Sequence, residues 1–133
     1  MSPRSVSDLL DEARRGLRRV EPGEARAAAS AGDAVLVDIR AESQRSRDGV
    51  VPGAVFIPRN VLEWRCDPSS DWSDPEVVGQ PGRQLIVMCN EGYQSSLAAA
   101  TLQRFGFADA TDLIGGFQAW RAAGLDVETV SPA

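Results

Sequence analysis

The sequence predicts an α/β fold in which helices cover a mostly parallel sheet. Three observations lead there. The short apolar runs "AVLVDIR" and "QLIVM" are rich in β-branched residues and have the length of buried strands. Segments of about ten residues with helical apolar spacing separate the strands, the alternation that a parallel sheet requires. At 133 residues, 43% hydrophobic and 25% charged, the chain has the size and composition of one globular domain.

Val6, Leu9, Leu10, Ala13 and Leu17 fall at helical spacing and predict an amphipathic helix over residues 6–19. Arg14, Arg15, Arg18 and Arg19 read as a solvated face of that helix. Pro22 stands where a second helix can begin, and Gly32 where it can end. "AVLVDIR" is then a buried strand closing on Asp38, and "AVFIP", residues 54–58, a strand stopped by Pro58. From Asp67 to Gly82, Pro68, Pro75 and Pro81 with Gly79 and Gly82 mark a long irregular connection. "QLIVM" is the most apolar strand and leads straight into Cys89. Leu97, Thr101, Leu102 and Phe105 line one face of the next helix, which Gly106 stops. "ATDLIGGFQAWRAAGL" reads as a short strand, a Gly-Gly turn and a last helix with Phe117 and Trp120 facing inward.

Composition narrows the chemistry. No stretch approaches the roughly 20 apolar residues of a membrane span. The N-terminus lacks the apolar block of a secretory signal, so a soluble cytoplasmic protein is expected. The net charge of −5, from 14 basic and 19 acidic residues, gives no general support for a nucleic-acid role. The chain has no histidine, which removes His-based acid–base catalysis, Ser-His-Asp and Cys-His activation, and imidazole metal ligands. With only two cysteines besides, neither a zinc site nor another metal or cofactor is expected. Chemistry is left to cysteine, carboxylates, arginines, hydroxyls and backbone dipoles.

In a parallel sheet, ligands bind beyond the carboxyl ends of the strands. Cys89 stands at that end of the strand expected at the centre. The loop "NEGYQS" then turns into a helix whose first amides have no partner within it. Such amides favour an anion, and a thiolate over a thiol. A small apolar residue ending a buried strand would have the same spacing, and free cysteine often plays that part. Spacing alone leaves both readings open.

Four segments, in the right order, resemble one family. "AVLVDIR" is similar to a strand-plus-Asp-x-Arg signature, and "DGVVPGAVFIP" to a Gly-His-Ile-Pro-Gly-Ala segment. "CNEGYQSS" occupies an active loop, and "LIGGFQAWRAAGL" matches a C-terminal Gly-Gly-aromatic-x-x-Trp motif. Together they resemble the rhodanese-like domain, the fold of the single-domain sulfurtransferases, over roughly residues 20–128. The resemblance implies a three-layer α/β sandwich. Residues 1–133 would then be a single domain, with 1–19 an N-terminal helical extension and 20–128 the core. It further implies that Cys89 takes a sulfane sulfur from an anionic or persulfide donor. Cys89 would hold that sulfur as a persulfide and pass it to a thiophilic acceptor. Asn90, Glu91, Gly92, Tyr93, Gln94 and Ser95 become substrate-binding residues. The partners are a small-molecule or protein-bound sulfur donor and a thiol acceptor, with no cofactor, nucleic acid or membrane.

The departures from the pattern bear on the substrate. Gln94 stands where family loops often carry an arginine that grips the donor, and Glu91 adds a negative charge that opposes a thiosulfate-like dianion. Val50 replaces a usual histidine, and Gln44 or Arg45 falls where an aromatic is common. An alternative is a silent binding or regulatory module that kept the fold; Glu91 and Gln94 favour it, the retained Cys89 opposes it. Cysteine phosphatases and arsenate-reducing relatives share the fold, but their Cys-x5-Arg loop has no counterpart, since residues Asn90 to Ser96 include no arginine. A phosphoryl transition state without a loop cation loses its main stabilisation.

The missing cation has two candidate replacements. Arg59 and Arg65 flank Glu63 and Trp64 beyond the "AVFIP" strand. Either can clamp an oxyanion with its forked donors. The segment also reads as a surface helical turn with a Glu–Arg pair and a partly buried tryptophan. Tyr93, at the loop tip, can wall the pocket. Cys66 can resolve a persulfide on Cys89, although an incidental, partly buried thiol is the favoured reading. Asp38 and Arg40 are expected to fix the loop after their strand.

Overall fold

The computed structural model describes residues 2–79 and 82–130. Four parallel strands, β1 (Ala34–Asp38), β2 (Val55–Phe56), β3 (Gln84–Met88) and β4 (Thr111–Asp112), form one sheet in the order β2-β1-β3-β4. Pairing is longest between β1 and β3, from Ala34 opposite Gln84 to Asp38 opposite Met88. The strand that leads into Cys89 is therefore interior, as its apolar run from Leu85 to Met88 predicts.

Both faces of that sheet are buried, which makes three layers. Val35, Val37, Leu85 and Val87 point into one core with Leu62, Val77, Ala98, Ala99 and Leu102. Ala34, Leu36, Ile86 and Met88 point into a second core with Ala25, Leu113, Phe117 and Trp120. The first face is covered by α4 (Leu62–Cys66), α5 (Pro75–Val78) and α6 (Gln94–Gln103), with α1 (Val6–Arg15) packed on α6. The second is covered by α2 (Pro22–Ser30) and α7 (Gly116–Ala122). α3 (Glu42–Asp48) buries no side chain. These are the seven α-helices among the described residues, and none is long and apolar enough to cross a membrane.

Three local expectations are corrected. The first helix ends at Arg15, not at residue 19, because Gly16 caps it and Leu17 N–H turns back to the Arg14 carbonyl at 3.1 Å. The chain then runs on to a parallel bridge between Val20 and Leu113, with Val20 N–H donating to Asp112 O at 3.1 Å. Edge pairing here overrides helical periodicity. The "AVFIP" strand shrinks to two residues, Val55 and Phe56, which pair in register with Val37 and Asp38 of β1; Ile57 N–H adds one bond to Asp38 O at 3.0 Å before a 3₁₀ turn over Arg59–Val61. The connection from Asp67 to Gly82 contains α5, started by Pro75 and capped by the Asp74 carboxylate, which accepts Glu76 N–H at 2.9 Å. Pro81, one of the expected loop markers, lies outside the described residues, as do the chain ends at 1 and 131–133.

Candidate active site

β3 delivers Cys89 to the carboxyl end of the sheet, and the Gly-Gly turn before α7 shapes the loop from Asn90 to Ser95. Gly92 has φ +88°, and a Cβ there would sit 2.6 Å from the Gly115 nitrogen. Backbone thus lies against backbone, which only glycine permits. The first amides of α7 take the loop's carbonyls: Phe117 N–H donates to Cys89 O at 2.9 Å and Gln118 N–H to Asn90 O at 3.1 Å. With those carbonyls turned outward, amide N–H groups converge on the sulfur. Cys89 Sγ accepts from Gly92 N–H at 3.1 Å and Ser95 N–H at 3.4 Å. The N–H groups of Tyr93 and Gln94, at the start of α6, have no partner among the described residues. Cys89 is 6% exposed.

The cysteine opens onto a cavity of about 550 Å³. Of the residues singled out in the sequence, Cys89, Asn90, Glu91, Tyr93, Gln94 and Arg59 line it together. Gly92 and Ser95 contribute amides from beneath. Arg65 does not join them: its Nη1 donates to Trp72 O at 3.0 Å and its Nη2 lies 3.5 Å from Asp74 Oδ2. Arg59 Nη1 donates to Glu63 Oε1 at 2.9 Å, so its charge is shared, and the residue lines the cavity. Trp64, expected partly buried, is 57% exposed.

Arg40 also lines the cavity. Its Nε and Nη2 donate to Asp38 at 3.0 and 2.9 Å, its Nη2 also to Gly49 O, and its guanidinium stacks on Phe117 at 3.9 Å. This buried pair fixes the turn after β1, and Nη1 has no partner among the described residues. Cys66 is fully buried in α4, deeper than expected, and does not line the cavity. Burial, helped by Asp74 and Glu63, pushes its thiol up to about 12, so it is inert as a nucleophile near neutrality. A second cavity, about 410 Å³, lies by the starts of β1 and β2 and contains no cysteine.

Behind the loop is a polar cluster that the sequence reading missed. Arg14 and Arg19 are not a solvated face; Arg15 and Arg18 are exposed, but these two turn inward. Arg14 donates through Nη2 to Gly92 O at 2.8 Å and through Nε to Ser96 Oγ at 3.0 Å. Arg19 Nη2 reaches the same Gly92 O at 2.9 Å. Arg19 Nε donates to Asp112 Oδ1 at 2.9 Å, and the Ser95 and Ser96 hydroxyls donate to Asp112 Oδ2 at 2.7 and 2.8 Å. Asp112 is wholly buried, so its carboxylate needs all of them. The available signal was Asp112 itself, a carboxylate between Ala110 and Leu113 in a buried strand, which demands a cationic partner.

Comparison with known proteins agrees with this geometry. The rhodanese-like domain family matches residues 21–123. A protein named thiosulfate sulfurtransferase GlpE from Pseudomonas savastanoi is 34% identical over 113 residues, covering 85% of this chain and 94% of that one. A maize protein named adenylyltransferase and sulfurtransferase MOCS3-2 is 36% identical over 98 residues, 74% of this chain but 19% of its own length. Among solved structures, the RPA3614 protein of Rhodopseudomonas palustris superposes with a TM-score of 0.85 at 35% identity, covering 96% of this chain and 97% of that one. It is described as a protein of unknown function and possible tyrosine phosphatase. With its strand-end cysteine, amide-lined loop and Gly-Gly turn, and with a family match across most of its length, the chain belongs to the rhodanese-like domain family.

Proposed function

We propose that the chain is a rhodanese-type sulfurtransferase working through a persulfide on Cys89, with residues 1–133 acting as one domain. The observation that carries this reading is the sulfur's setting. Two N–H groups donate to Cys89 Sγ, and the residue lines a cavity together with Arg59, while the Arg40 side chain is buried beneath it. In the first half-reaction the Cys89 thiolate attacks the donor's sulfane sulfur. A new S–S bond forms, the donor's own bond to that sulfur breaks, and the leaving group departs with the electron pair, as sulfite when the donor is thiosulfate. In the second, a thiolate or cyanide attacks the outer sulfur, and Cys89 leaves as the thiolate.

The outer persulfide sulfur is anionic, and the unpaired N–H groups of Tyr93 and Gln94 are suited to hold it. Arg59 is suited to grip an anionic donor group. Phosphoryl transfer is disfavoured, because Arg14 and Arg19 reach the loop from outside the cavity and do not replace a closing loop arginine. The test is thiocyanate formation from cyanide with thiosulfate or an organic persulfide. It should vanish in Cys89→Ser and persist in Cys66→Ser. Absence of thiocyanate with both donors in the folded wild-type protein would overturn the reading.

A further inference from the structure

We propose that Arg14 and Arg19 are positioning residues for the reaction of Cys89. They hold the Gly92 carbonyl away from the sulfur, so that the loop's amides stay turned toward it. This deepens the sulfurtransferase reading and rests on it. The geometry begins with one oxygen: Gly92 O accepts from two different arginines, at 2.8 and 2.9 Å. The described residues contain no cis peptide. In the trans peptide joining Gly92 to Tyr93, the carbonyl and the N–H point in opposite directions. Fixing the oxygen outward therefore turns Tyr93 N–H toward the cavity side, where Tyr93 forms part of the wall.

Glycine makes this restraint necessary. At φ +88° and without a Cβ, Gly92 has the backbone freedom to let that peptide rotate. Rotated, it would present a carbonyl oxygen to a sulfur that carries negative charge. Two charge-assisted hydrogen bonds oppose the rotation. The arginines are themselves anchored, Arg14 on Ser96 and Arg19 on the buried Asp112. Asp112 balances one of the two cations, which leaves one positive charge behind a loop that contains no cation of its own. Both arginines precede residues 21–123, the segment that matches the family, so this support comes from the N-terminal segment and not from the family motifs.

The experiment measures alkylation of Cys89 by iodoacetamide at one fixed pH, beside steady-state sulfur transfer. Arg14→Gln strands no buried charge, since its partners Gly92 O and Ser96 Oγ are neutral, so the fold should survive. Its alkylation rate and kcat should fall roughly tenfold, the scale of a lost charged hydrogen bond. The donor KM should move less than about twofold, because the arginines lie outside the cavity. Arg14→Lys should recover most of the loss. The paired change Arg19→Gln with Asp112→Asn removes the second clamp without leaving a lone charge, and should slow alkylation as well. Alkylation needs no sulfur chemistry, so a chain that failed as a sulfurtransferase would still report on the clamp. The proposal is overturned if alkylation is unchanged in Arg14→Gln and in the paired variant. It is equally overturned if Arg14→Gln and Arg14→Lys are slowed alike with matching losses of Tm.

Discussion

Gly116 lies directly against Cys89: a Cβ at 116 would sit 2.5 Å from the Cys89 carbonyl oxygen and 2.8 Å from the Glu91 nitrogen. The turn before α7 is thus a mould for the loop that follows Cys89. Gly116→Ala must accommodate both φ +62° and that collision. Gly124, at φ +76°, has open space around it, so Gly124→Ala bears only the conformational cost of about 1–2 kcal/mol. Thermal unfolding should show Gly116→Ala losing clearly more Tm than Gly124→Ala, by roughly 5 °C or more. Equal losses would mean the turn does not constrain the loop.

Arg59 and Arg65 were equivalent candidates in the sequence, and the structure separates them. Arg59→Ala should raise the KM for an anionic sulfur donor about tenfold, as expected for a lost charged hydrogen bond. Arg65→Ala should leave KM unchanged, since Arg65 is bound to Trp72 O and Asp74 away from the cavity. Donor kinetics on the two variants decide the point; an effect from Arg65 alone would reverse the assignment.

Glu91 is exposed at the cavity wall, where its charge would oppose a doubly charged donor. Glu91→Gln should improve kcat/KM for thiosulfate several-fold at low ionic strength. The gain should shrink toward nothing near 1 M salt, where the Debye length is about 3 Å. Unchanged thiosulfate kinetics at low salt would make Glu91 a bystander.

What the sequence revealed and what it hid divide along a physical line. β1, β3 and α7 were legible because burial on both sheet faces leaves unbroken apolar runs, and because only glycine fits the turn at 115–116. Cys89 was legible from its place after β3. α3 was not, because "ESQRSRD" buries no side chain and so has no apolar stripe. Nor was the inward turn of Arg14 and Arg19, which depends on Asp112 some ninety residues away and on a bridge at Val20 that ends the helical spacing early. Long-range pairing of polar groups leaves no local period to read. Arg65 was misplaced for the same reason, its partners Trp72 and Asp74 lying in a loop without periodicity.

Cys66 gives a pH prediction. Its folded thiol keeps its proton to about 12, against an ordinary value of 9.0. Between those values the folded state binds more protons than the unfolded one, so stability falls as pH rises above 9. The limiting slope is about 1.4 kcal/mol per pH unit. All 14 basic residues are arginine, so no lysine titrates in that window. Cys66→Ala should lower stability at pH 7 but flatten its decline in alkali, measured by urea unfolding at several pH values. Parallel declines in wild type and variant would contradict the buried, protonated thiol.

In the proposed reaction Cys89 carries the sulfur in transit. Intact-mass measurement after treatment with thiosulfate or an organic persulfide, before and after cyanide, decides whether it does. The expected result is a gain of one sulfur atom, mapped to Cys89 in the peptide digest, absent in Cys89→Ser, present in Cys66→Ser and removed by cyanide. No added sulfur with either donor, or added sulfur that persists in Cys89→Ser, would contradict it.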